Sequence, residues 1–109
     1  CNKMKKTIFT LLILVLSKNC FALNEYFIEI KNHEFKPNIL NITADEKSKI
    51  TISNLDNTPE EFESHDLNRE KLIMGNKKVV VFLGPLKKGE YSFFGEFNPK
   101  TAQGKIIVK

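Results

Sequence analysis

Six acidic side chains fall between positions 56 and 70: Asp56, Glu60, Glu61, Glu63, Asp66 and Glu70. One imidazole, His65, and one cation, Arg69, stand among them. If residues 60–65 run as a strand, alternation puts Glu61, Glu63 and His65 on one face and Glu60 with Phe62 on the other. Glu96 follows Phe93-Phe94 and can approach from a second segment. Carboxylates joined by an imidazole suit hard or borderline cations such as ferric iron, manganese or cupric copper, rather than cuprous copper. The candidate metal ligands are therefore Glu60, Glu61, Glu63, Glu70, Glu96 and His65. Unless the fold gathers them, the same residues read as a solvated acidic patch, because exposed carboxylates are common. The other histidine, His33, sits in the polar run Asn32-His33-Glu34 and is expected at the surface.

Other chemistries lack their residues. The chain has no Gly-x-Ser-x-Gly, no His-Glu-x-x-His and no glycine-rich phosphate loop, so no enzyme is expected. Its two cysteines, Cys1 and Cys20, both precede residue 23. A domain starting at Leu23 then has neither a disulfide nor a thiolate to offer a metal. The formal charge of +4 is equally local. Lys3, Lys5, Lys6 and Lys18 precede residue 23 with no acid among them, and the 13 basic residues that follow balance all 13 acids. A neutral body has no counterion-release drive towards nucleic acid, and none is expected as a partner.

That basic start belongs to a leader. Met4-Lys5-Lys6 is followed by an apolar run from Ile8 to Leu16, and Cys20-Phe21-Ala22 places small residues where signal peptidase cleaves. The expected organisation is a helical secretory signal peptide over 1–22, with three extra residues before Met4, and one domain over 23–109. The apolar run is far shorter than the ~20 residues of a membrane span. Once the signal is removed the protein is expected to be periplasmic or secreted and not membrane-spanning.

The elements that must position the acids are strands. Tyr26 to Lys31 and Lys49 to Ser53 alternate apolar and polar residues, and Ile39 to Thr43, Val79 to Leu83, Tyr91 to Phe94 and Lys105 to Val108 are short β-type runs. Turn residues separate them, as in Asn54-Leu55-Asp56-Asn57, Gly75-Asn76, Gly84-Pro85 and Lys88-Gly89. No helical period competes, so the body reads as an all-β sandwich or barrel. The segment from Asp66 to Leu72 fits either a single helical turn or an irregular crossing. Phe62, Phe93, Phe94 and Phe97 are expected in the core, with Met74 at its edge.

Three blocks together resemble the cupredoxin-like family. They are Asn54 to Glu63, Gly84 to Gly95 and Thr101 to Val108, with Phe35-x-Pro37 followed by Leu40 and Ile42 ahead of them. The likeness covers residues 26 to 109 and looks closest to the small EfeO-type cupredoxin-like proteins associated with bacterial iron uptake. It implies a Greek-key β-sandwich of seven or eight strands. It also implies where copper would sit in an electron-carrying relative. The first His falls on Glu60, after Pro59. The Cys falls on Gly95, the second His on Asn98 and the axial Met on Gln103. With no Cys and no His at those positions, type 1 copper is excluded by ligand chemistry, and an axial donor alone holds nothing.

The EfeO-type likeness also implies that Glu61-Phe62-Glu63 and Glu70 supply metal-binding carboxylates, while Asn98 stands where close relatives carry a His in a Phe-His-Pro run. The expectation is an exported, non-enzymatic accessory that binds iron or copper and hands it to a membrane iron permease or another periplasmic uptake component. The alternative is a metal-free periplasmic module that uses the scaffold to contact a protein.

Overall fold

The computed structural model describes residues 23–109. Nine strands occur among them: β1 (Asn24–Lys31), β2 (Glu34–Lys36), β3 (Ile39–Ile42), β4 (Ser48–Asn54), β5 (Glu60–Ser64), β6 (Arg69–Ile73), β7 (Lys78–Leu83), β8 (Gly89–Gly95) and β9 (Gln103–Val108). The signal peptide and its helix expected over 1–22, together with Cys1 and Cys20, lie outside the described residues.

The strands form two sheets, ordered β2-β1-β4-β7 and β3-β9-β8-β5-β6. Period-two patterning decides which face each residue takes. In β4, Ile50 and Ile52 are buried while Lys49, Thr51 and Ser53 turn towards water. The chain crosses between sheets, so β1 lies parallel to β4 and β3 parallel to β9. Ile28, Ile30, Ile50, Ile52, Ile73 and Ile106 fill the space between the layers. At its centre the Phe93 ring lies 4.9 Å from Phe35, nearly edge-on, and 5.1 Å from Phe62. Each fully buried Phe of this kind contributes about 2 kcal/mol or more. Gly104 faces Phe93 across β8 and β9, and a Cβ there would collide with the ring.

The all-β sandwich expected from the sequence is what forms, with nine strands among the described residues where seven or eight were expected. One addition is β2, three residues long, where only Phe35 points inward. The other is β6, where the sequence suggested a helical turn or a crossing segment. It pairs antiparallel with β5 from Glu60–Ile73 to Ser64–Arg69. The connecting turn is closed by the Leu67 amide donating to Ser64 Oγ (3.1 Å), with Asn68 at φ 53°. Because β6 is a sheet edge, only Ile73 of its five residues is buried, and no alternation marks it.

Three core expectations also change. Phe62 and Phe93 are buried, but Phe94, next in alternation, is half-buried on the outer face, and Phe97 is 50% exposed on the loop after β8. Met74, in the turn after β6, is exposed.

Candidate functional site

The acids between 56 and 70 divide by what the backbone does with them. Asp56 accepts the amides of Asn32 (2.8 Å) and His33 (3.0 Å), both left-handed residues of the β1–β2 turn. The His33 amide is the chief reason its carboxyl lies below the ordinary value, against an opposing desolvation. Asp66 accepts the Ser92 amide (2.8 Å) and joins the β5–β6 turn to β8. Both clamp the fold and face no shared centre with the other acids.

Glu60 opens β5, pairs with Ile73, and turns inward beside Phe62 as alternation requires. It is only 2% exposed. Its Oε1 accepts the amides of Glu61 and Phe97, each at 2.9 Å, and its Oε2 accepts Asn98 Nδ2 at 2.8 Å. The loop that brings Phe97 and Asn98 is folded by its own hydrogen bonds. Asn98 and Gly95 join amide to carbonyl (3.1 Å), and the Asn98 carbonyl accepts the Ala102 amide (2.9 Å). Thr101 Oγ1 donates to the His33 carbonyl (2.6 Å), tying this loop to the β1–β2 turn.

Glu60, Gly95 and Asn98 therefore meet at one end of the sandwich, as the resemblance implies. Their chemistry does not fit type 1 copper. A Cβ on Gly95 would stand 2.6 Å from Glu60 Cδ, 2.8 Å from its Oε2 and 2.7 Å from Ala102 Cβ. The carboxylate fills the space that a cysteine at 95 would need, and N–H donors already serve both its oxygens. Gln103 does not join the group. It pairs with Phe94, stays exposed, and donates to the Pro99 carbonyl (2.9 Å). Ala102, buried and missed by the sequence reading, is the residue facing Gly95.

The remaining acids gather on the outer face of the five-stranded sheet. Glu61 and Glu63 sit two residues apart on β5, and Glu70 pairs directly with Glu63 across β6. One carboxylate oxygen from each lies within 4.8 Å of the other two. Among the described residues no basic side chain forms an ion pair with any of the three. Glu61, half-buried, has its carboxyl held above the ordinary value, first by lost solvation and then by the charges of Glu70, Glu63, Glu96 and Glu60. Glu96 is bound to β5 through its amide and the Glu61 carbonyl (2.9 Å), but its carboxylate is outside the cluster of three. His65 lies in the turn rather than on the strand, exposed, with its ring 5.4 Å from Phe94. β5 ends one residue too early for the expected Glu61–Glu63–His65 face.

A two-sheet sandwich of this strand order, closed at one end by residues 60, 95 and 98, defines a cupredoxin-like protein. The chain belongs to the cupredoxin-like domain family, whose model matches residues 6–108. Uncharacterized protein RP394 of Rickettsia prowazekii (strain Madrid E) is 50% identical over 84 residues, covering 77% of this chain and 67% of that one. Auracyanin A, a "blue" copper protein of Chloroflexus aurantiacus, superposes with a TM-score of 0.70 at 15% identity, over 81% of this chain and 100% of that one. The metal binding domain of the Streptococcus pneumoniae D39 Cu(I) exporting P-type ATPase CopA gives a TM-score of 0.65 at 14% identity, over 84% and 99%. A copper binding protein in its apo form gives 0.71 at 20%, over 84% and 92%. At these identities the structural likenesses establish the fold.

Proposed function

We propose that this protein is an exported, EfeO-type accessory that binds a hard or borderline cation, cupric copper or ferric iron, on the outside of the sandwich and delivers it to a membrane uptake component. The observation that carries the reading is the cluster of Glu61, Glu63 and Glu70, three carboxylates within 4.8 Å without a basic partner among the described residues. Like charges set directly across a strand pair repel, as Glu63 and Glu70 do, and a bound cation would relieve that repulsion. The copper-binding proteins that share the fold support metal handling in general. The leader-like residues before 23 support export to the periplasm.

Carboxylates on an open face give modest affinity and fast release, which suits transfer rather than storage. No electron-transfer step is assigned, because the residues at 60, 95 and 98 supply no sulfur or imidazole.

Calorimetric titration of chelator-stripped protein with cupric, ferric and ferrous ions tests the proposal. Binding tighter than millimolar, about −4 kcal/mol, is expected for at least one ion and should disappear in the Glu61→Gln/Glu63→Gln/Glu70→Gln variant. Absence of binding for all three ions would remove the metal role and leave the metal-free interaction module.

A further inference from the structure

We infer that Glu60 has replaced the metal as the cross-link at the closed end of the sandwich, turning a cation position into an anion position filled from within the chain. The inference stands on family membership and on the geometry of residue 60, and does not need the outer cation site.

A site is characterised by its donors. Around the Glu60 carboxylate these are two backbone amides, from Glu61 and Phe97, and the Asn98 side-chain amide, at 2.8 to 2.9 Å. N–H groups converging on one point select an anion and repel a cation, and hydrogen bonds to a charged acceptor are about twice as strong as neutral ones. A metal at this point would meet three N–H groups and a carboxylate whose oxygens are already engaged. The bonds also perform a cross-link's mechanical task, since they fasten β5 to the Phe97–Asn98 loop, 37 and 38 residues further along the chain. Gly95 completes the change, because any larger residue would push on the carboxylate.

One consequence separates this from ordinary core packing. Removing the Glu60 side chain should leave a small cavity lined by three orphaned N–H donors, which an external monocarboxylate can enter. Glu60→Ala is expected to melt about 10 °C below the unmodified protein. Added formate or acetate should recover much of that loss in a saturable way, with chloride ineffective and the unmodified protein insensitive. Cupric ion should not recover it. Glu60→Gln keeps the shape and loses the charge. It should fold, leave cation binding unchanged, and shift the amide protons of Glu61 and Phe97 upfield.

The inference is overturned if cupric ion, rather than formate, restores Glu60→Ala. It is equally overturned if Glu60→Gln lowers cation affinity about tenfold or more, or if those two amide protons do not move. Should Glu60→Ala fail to fold, the Glu60→Gln spectra decide alone. Should the unmodified protein bind no cation, the outer site fails while the formate and amide results still judge Glu60.

Discussion

Asp56 and Glu61 are both carboxylates a few residues apart, yet their surroundings push them in opposite directions. Asp56 receives two amides and titrates below its ordinary value of 3.8, so the folded protein holds that proton less tightly than the unfolded chain. Its contribution is complete above the unfolded value and fades as pH falls through the folded one. Asp56→Asn should therefore lower Tm by a few degrees at neutral pH, about 1 kcal/mol, with the gap to the unmodified protein closing on acidification towards pH 3. For Glu61 the sign reverses. Its carboxyl is raised above 4.5 by lost solvation and by four neighbouring glutamates, so ionisation costs stability as pH rises past the folded value. In the presence of chelator, Glu61→Gln should raise Tm at pH 7 and leave it unchanged below pH 4. The proton competes with any cation at this site, so affinity should begin to fall while pH is still above 4.5, a trend that calorimetry across pH would show.

The decisive element is β5, which presents one glutamate inward and two outward by alternation alone. Its inner face is coupled to the loop after β8 through Glu60 and Gly95. Gly95→Ala should cost at least 2 kcal/mol, because the added methyl meets the Glu60 carboxyl and Ala102. Glu60→Ala removes part of that clash, so the double variant should be more stable than the sum of the two losses, as chemical denaturation of the four proteins would measure. This element was largely legible in advance. Glu61-Phe62-Glu63 is alternation in three residues, and it fixed which carboxylates go in and which go out. The fate of Glu60 was only half legible. Pro59 located it at the ligand position, but two of its three donors are the backbone amides of Glu61 and Phe97, which no residue type announces. His65 was misplaced by a single position, because the turn from 65 to 68 depends on Ser64 Oγ and the left-handed Asn68 rather than on strand patterning. β6 was illegible for a related reason. An edge strand exposing four of its five residues carries no hydrophobic signal. Phe97 shows the limit of composition, since an aromatic beside two core-type phenylalanines ends up half in water once the strand has ended.

At the level of the molecule, the architecture is independent of the chemistry at its end. Apolar patterning built the two sheets, and patterning does not depend on what the end loops ligate. The same fold can therefore be kept whatever side chains stand at its end, and TM-scores near 0.7 at 15 to 20% identity describe a shared fold alone. The carboxylates divide by role: Asp56, Glu60 and Asp66 are fastened to backbone amides, whereas Glu61, Glu63 and Glu70 are the ones proposed to hold a cation. Anomalous diffraction at the copper edge, from crystals soaked in cupric ion, measures that division directly. A peak between the carboxylates of Glu61, Glu63 and Glu70, with Glu60 still bonded to Phe97 and Asn98, is the expected result. A peak between residues 60, 95 and 98, with Glu60 turned to coordinate it, would contradict the account.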